Sequence, residues 1–207
     1  MQFQARSLLV RKAFLLEYFT IFWNLLEGII SIAAGVIAGS IALVAFGLDS
    51  FIEVTSAAVI IWRFRKHGLG EAEETAAEKR AILVVGITFI LLATYVLFEA
   101  LRKLLVQEHP DASTLGIIIT AISVIVMPGV AFLKRGVAEQ LKSRALLADA
   151  KETLACSYLS VTVLLGLGAN MLFGWWWADP VAGLAIVYWL VKEGWEAINE
   201  AREEDED

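Results

Sequence analysis

Two carboxylates, Asp49 and Glu53, stand four residues apart in a stretch, residues 40–62, that contains no other charged residue. Side chains at positions i and i+4 lie on one face of a helix, about 6 Å apart along its axis, so both can bind one ligand. An acid in hydrocarbon is costly, and a functional role is its default explanation. The pair therefore predicts half of a cation-binding site.

A second set of polar residues supplies the other half. Asp149, Glu152 and Cys156 are spaced by three and four residues, which places them along one face of a helix. Glu27 lies ten residues before the end of the first span at Ile37, and Asp49 lies nine residues after the start of the second at Ser40, so the two are level across the tight turn. The sequence predicts a four-ligand site of Asp49, Glu53, Glu152 and Cys156, with Glu27 and Asp149 as additional ligands, outer supporting groups or proton carriers.

These ligand types indicate which cation the site would bind. Carboxylate oxygens with a thiolate suit Zn²⁺ or Cd²⁺ better than Mg²⁺ or Ca²⁺, because sulfur is too soft for the latter pair. An all-oxygen set would instead suit Mn²⁺. Without a cation, clustered acids cannot all ionise in a low-dielectric site, so some hold protons as a coupled set. Metal binding would expel those protons, which predicts metal/proton exchange.

Structural explanations compete with this one. A lone cysteine on an apolar helix is often only packing, which leaves Cys156 open between ligand and bystander. A buried acid can be held in a salt bridge, and Lys151 is available to Glu27 or Asp149. Glu17 lies near the end of a predicted span and is expected to be solvated or interfacial.

The composition requires a membrane setting for these residues. Of 207 residues, 58% are hydrophobic, above the rough half of a soluble domain. Apolar stretches of about the 20 residues that a helix needs to cross hydrocarbon recur along the chain. We predict an all-α integral membrane protein with one six-helix domain, residues 1–200, and a disordered acidic tail, residues 201–207. The predicted spans are 14–37, 40–62, 81–101, 113–133, 145–173 and a sixth from Asp179, its N-cap, to at least Val191.

The basic residues orient these spans. Residues 68–80 are predicted to be a polar linker. Pro128 should kink the fourth span. The loop after that span is predicted to be basic, with Lys134, Arg135, Lys142 and Arg144. Basic residues concentrate at the two termini and in the second-to-third and fourth-to-fifth loops, so both termini are predicted to be cytoplasmic. Helices two and five are then antiparallel. Asp49 should lie level with Cys156, and Glu53 with Glu152.

Three motifs resemble those of the cation diffusion facilitator, or cation efflux, family. They are Ala38-Gly-Ser-Ile-Ala-Leu followed by Gly47-Leu-Asp-Ser, Ala148-Asp-Ala-Lys-Glu-Thr-Leu, and Trp177-Ala-Asp-Pro. The resemblance implies a cation-efflux-type bundle, a tetrahedral Zn²⁺-type site between helices two and five, alternating access, proton antiport and commonly a homodimer. Carried over by position, the ligands fall on Asp49, Glu53, Glu152 and Cys156. Glu152 and Cys156 replace the family's usual histidine and aspartate, and the usual C-terminal cytoplasmic domain is not expected in this short member.

The sequence therefore predicts a multi-pass exporter of a divalent transition metal, Zn²⁺ first and Cd²⁺ next, in the inner or plasma membrane. Its expected partners are the metal ion as substrate, protons, the lipid bilayer and a second copy of the chain. No cofactor and no nucleic acid partner is expected. The alternatives are a non-transporting membrane scaffold or subunit, and a cation channel. An enzyme is not expected, because no nucleophile–base set or phosphate loop accompanies the polar cluster.

Overall fold

The computed structural model describes the backbone of residues 2–67 and 76–203, so part of the predicted linker and residues 204–207 of the predicted tail lie outside the described residues. The described chain is all-helical, which confirms the predicted fold class. Its six helices are α1 Gln2–Ala38, α2 Ile41–His67, α3 Ala76–Val106, α4 Thr114–Leu141, α5 Arg144–Phe173 and α6 Ala178–Glu203.

Five of the six helices, α1 to α5, are long and apolar enough to cross a membrane over their described residues. The sixth falls short because its apolar part gives way to Lys192, Glu193 and Glu196. Even so, α6 packs antiparallel to α3 over that apolar part: Gly194 lies against the backbone of Gly86, and Gly183 lies beside Ala100. This pairing holds α6 at the depth of a span, and we treat it as the sixth.

The connection between α1 and α2 is the predicted tight turn. Gly39 adopts a left-handed φ of 64°, which suits glycine, and the Ser40 amide donates to the Gly35 carbonyl at 2.9 Å. The two helices then run antiparallel at very close range. A Cβ added at Gly47 would lie 3.0 Å from the Gly28 carbonyl oxygen. This close approach places Glu27, on α1, beside the ligand-bearing part of α2.

The predicted basic loop after the fourth span is wrong. Helix α4 continues through Pro128 to Leu141, and only Lys142 and Ser143 connect it to α5. The helix continues because buried small and apolar residues recur beyond the proline at helical spacing: Val130, Ala131, Val137, Ala138 and Leu141. Lys134 is consequently inside the bundle, with no exposed surface.

Asp179 is not the N-cap of the sixth helix that the sequence predicts. Helix α6 begins one residue earlier, at Ala178, and the Asp179 carboxylate instead reaches the start of α2. Its Oδ2 accepts from the Ile41 amide at 2.9 Å, and its Oδ1 accepts from the Ser40 hydroxyl. The carboxylate caps α2 because that helix exposes unpaired N–H groups at this end, where the helix dipole also favours an anion.

A continuous apolar core joins α2, α3, α5 and α6 and surrounds the polar residues. Its most fully buried side chains include Leu43, Phe46, Val96, Val163 and Ile186. Helices α1 and α4 cover the other side of α2 and α5, and they meet through buried polar pairs and through a second apolar cluster that includes Ala13 and Val137. The acids of α2 and α5 therefore lie between two packed layers, away from the lipid-facing surface.

Candidate metal site

Asp49 and Cys156 meet at the interface between α2 and α5. Both are 4% exposed, and the Cys156 thiol lies 2.7 Å from Asp49 Oδ2, with the thiol as donor. Helices α2 and α5 are antiparallel, so the predicted level of these two residues is confirmed. A cysteine that packs only against apolar groups would not make this contact.

Glu53 lies one turn further along α2, and its side chain is 2% exposed. Both of its carboxylate oxygens are buried without a hydrogen-bond partner. A buried carboxylate normally has its oxygens satisfied, and one that does not is a candidate ligand for a cation. Glu53 is therefore the most demanding of the predicted ligands, because neither of its oxygens has a hydrogen-bond partner in the described structure.

Glu152 faces the same interface from α5. Its Oε2 accepts from the Ser56 hydroxyl of α2 at 2.7 Å, and its Oε1 is buried without a partner. The Ser56 contact ties the N-terminal half of α5 to α2, and it leaves one oxygen of Glu152 uncommitted.

One cavity joins the four predicted ligands. It has about 320 Å³ of open space, including its mouth, and its polar lining consists of Asp49, Glu53, Glu152, Cys156 and a further acid, Glu193 of α6. Phe89, Leu159, Trp189 and Leu190 are among the side chains that complete the wall. Among the described residues, no three His, Cys, Asp or Glu side chains already stand in an arrangement that could hold a metal ion. The four line one cavity without converging on a point.

Glu27 lies outside this cavity, on the α1 side of α2. It is fully buried, and it accepts from the Ser50 hydroxyl at 2.9 Å, the Trp23 indole N–H at 2.7 Å and the Ser123 hydroxyl. Ser50 neighbours Asp49, which agrees with the predicted level of Glu27. With three donors around it, this carboxylate is satisfied by the protein, unlike Glu53.

Asp149 is also separate from the cavity. It faces Lys134 of α4, whose ammonium lies 2.6 Å from Asp149 Oδ2 and 3.1 Å from Glu17 Oε2. The expectation that Glu17 is solvated or interfacial is wrong, since it has no exposed surface. Lys151, the cation that the sequence offered to Asp149, is exposed instead. The predicted stripe of Asp149, Glu152 and Cys156 thus divides between two neighbouring interfaces.

Sequence reasoning missed Lys134, Glu17, Ser123 and Glu193. The signal for Glu17 is visible on α1, where polar residues recur at spacings of three and four and are all buried: Glu17, Thr20, Asn24, Glu27 and Ser31. Continuing that period back from Glu27 would have assigned Glu17 to the buried face.

Comparison with known proteins agrees with this architecture. The family model for the cation efflux transmembrane domain matches residues 18–204. An uncharacterized transporter of the cyanobacterium Synechocystis sp. is 24% identical over 179 residues, which cover 83% of this chain and 57% of that protein. Transmembrane protein 163 of Xenopus laevis is 23% identical over 155 residues, which cover 75% of this chain and 54% of that protein.

The chain spans a little over half the length of these curated relatives. The family match, by contrast, takes in all of α2 to α5 and most of α1, and it extends through α6. It includes every residue of the cavity described above. This family consists of transporters and not of enzymes. The chain belongs to the cation efflux family.

Proposed function

We propose that the protein exports a divalent transition metal, Zn²⁺ first and Cd²⁺ next, by alternating access coupled to proton antiport. The observation that supports this most is the burial of Glu53 with both oxygens unpaired, in one cavity with Asp49, Glu152 and the Cys156 thiol. Three carboxylates and one sulfur form a ligand set of the borderline-soft kind that zinc and cadmium accept.

Metal binding in this proposal requires the four side chains to leave their present partners. The Cys156 thiol would release the hydrogen bond to Asp49 and lose its proton, since the thiolate is the ligand. Glu152 would turn from Ser56, and Glu53 would gain its first partner. The protons displaced from the thiol and the acids are the exchange that antiport requires. Glu27 and Asp149, which lie outside the cavity, are proposed to assist as proton carriers or supporting groups.

Proteoliposomes provide the test. Purified protein is reconstituted into vesicles that are acidic inside, and uptake of external Zn²⁺ is followed with a trapped zinc-responsive dye. We expect saturable uptake that continues against a zinc gradient and stops when the pH gradient is collapsed. Asp49→Asn and Glu53→Gln should abolish uptake, whereas Asp111→Asn, in the exposed α3–α4 connection, should leave it unchanged.

The same vesicles separate the alternatives. Flux that only runs downhill and does not saturate would identify a channel. An absence of Zn²⁺ and Cd²⁺ uptake under a pH gradient, with the protein folded and inserted, would remove the transporter proposal in favour of a scaffold or subunit.

A further inference from the structure

Glu193 is a fourth acid in the cavity, and it comes from α6, which supplies none of the predicted ligands. It lines the cavity together with Asp49, Glu53, Glu152 and Cys156. Close packing fixes α6 here, since a Cβ added at the next residue, Gly194, would lie 3.0 Å from the Gly86 carbonyl oxygen of α3. The Glu193 carboxylate is thus held at the cavity by the backbone contact of two helices.

Exposure distinguishes Glu193 from the deeper acids. Its side chain is 25% exposed, whereas Glu53 is 2% and Asp49 is 4% exposed. Glu193 also lies 15 residues along α6, so by a rise of 1.5 Å per residue it is about 22 Å from the outer end of its helix. Asp49 is only about 12 Å from the outer end of α2 by the same rise. Glu193 therefore lies at the cytoplasmic rim of the cavity in the predicted orientation.

Among the described residues, Lys192 is the only cation near Glu193, and its ammonium is directed toward other groups. Lys192 Nζ lies 5.3 Å above the Trp189 ring, 3.6 Å from Glu196 and 4.0 Å from Glu193. Glu196 is its closer acid, and a pair at 4.0 Å with a half-exposed lysine is weak. Glu193 is thus a rim carboxylate with little local neutralisation, facing a cavity that contains the unpaired, buried Glu53.

We propose that Glu193 is the cytoplasmic capture site of this transporter, a carboxylate that binds the hydrated divalent cation at the rim before the cation passes to the buried ligands. This inference rests on the proposed function. A negative charge at the mouth of a low-dielectric cavity raises the local concentration of cations and accelerates their association. A capture site lowers the barrier to entry and to exit alike, because the cation passes through it in both directions. It is empty once the cation has reached the buried ligands, so the equilibrium affinity does not depend on it.

Stopped-flow kinetics test this property on the purified full chain, with Zn²⁺ and a zinc-responsive competitor dye. We expect Glu193→Gln to lower the association and dissociation rate constants together by about tenfold. This factor is at the low end of the rate enhancement that charge steering gives. The equilibrium affinity should stay within twofold of wild type. The association rate of wild type should fall with ionic strength more steeply than that of Glu193→Gln.

Two variants control the comparison. Glu196→Gln removes the neighbouring acid, whose side chain is 61% exposed and does not line the cavity, and should keep wild-type rates. Glu193→Asp retains the carboxylate and should recover most of the association rate. Wild-type rates in Glu193→Gln would overturn the capture role alone. So would a loss of affinity that comes from faster dissociation with unchanged association, which belongs to a ligand of the final site. If wild type binds no zinc, the proposed function itself fails.

Discussion

The Lys134 ammonium lies 2.6 Å from Asp149 Oδ2 and 3.1 Å from Glu17 Oε2, and none of the three side chains is more than 2% exposed. One lysine therefore links α4 to both α5 and α1. Two carboxylates share this one cation, and Glu17 Oε1 and Asp149 Oδ1 have no partner of their own. The link joins α5, which lines the cavity, to α1 and α4, which supply none of its lining residues.

The first prediction concerns this link. Lys134→Met should lower the free energy of unfolding by about 3–5 kcal/mol, because it leaves two buried acids without their cation. The measurement is denaturation in mixed micelles, followed by circular dichroism. Arg135→Met is the matched control: it removes an exposed pair with Glu139 and should cause no measurable change. Equal midpoints for the two variants would contradict a stabilising role for Lys134.

A second prediction follows from the contact of α1 with α2. Gly47→Ala adds a Cβ that would lie 2.9 Å from the Ile32 amide nitrogen and 3.0 Å from the Gly28 carbonyl oxygen, so the two backbones must separate. We expect a loss of about 1–3 kcal/mol in unfolding free energy. Zinc affinity should also weaken, because Asp49 is two residues away.

Gly129→Ala in α4 is the control for this substitution. A Cβ there meets nothing within 4 Å, and alanine is the better helix former. That variant should be at least as stable as wild type and should bind zinc normally. If Gly47→Ala matched it in both measurements, the close approach of α1 and α2 would have no energetic consequence.

The third prediction tests the cap that α6 provides for α2. Asp179→Ala removes the acceptor for the Ile41 amide and the Ser40 hydroxyl and should lower the midpoint of thermal unfolding, with a cost of about 1–2 kcal/mol. Asp179→Asn keeps one carbonyl acceptor and should lose less. Asp111→Ala, an exposed acid at the same end of the bundle, should unfold like wild type. A wild-type midpoint for Asp179→Ala would show that water replaces the cap at no cost.

Much of the candidate site could be predicted from the sequence, because polar residues are costly in lipid and are therefore rare there. Asp49, Glu53, Glu152 and Cys156 stand out against apolar surroundings, and a span length with a short turn fixes the depth of each. The meeting of Asp49 with Cys156 follows from those depths and from antiparallel helices.

The remaining contacts of the buried polar residues could not be predicted, because the depth of a residue in the membrane does not fix the direction in which its side chain points. Three residues turn a helix by 300°, so Asp149 and Glu152 point about 60° apart, enough for one to face α4 and the other α2. The sequence predicts a loop at Lys134, because a basic residue after an apolar run usually marks the membrane surface. Its burial depends on two acids from helices distant in the sequence, and no local pattern shows that pairing.

The last prediction tests whether the Cys156 sulfur is a ligand, which decides the metal preference. Cys156→Ser replaces sulfur by oxygen, and a soft ligand matters most for the softest metal. We expect the affinity for Cd²⁺ to fall at least tenfold, about 1.4 kcal/mol, with a smaller loss for Zn²⁺ and little change for Mn²⁺. Competition titrations with a fluorescent chelator give all three dissociation constants on one preparation.

Ser157→Ala controls for a buried polar change outside the cavity, because its hydroxyl donates to the Thr153 carbonyl. It should leave all three affinities intact. Equal losses for Cd²⁺ and Mn²⁺, or no loss for any metal, would show that the thiol only packs against Asp49 and that the site binds through oxygen alone.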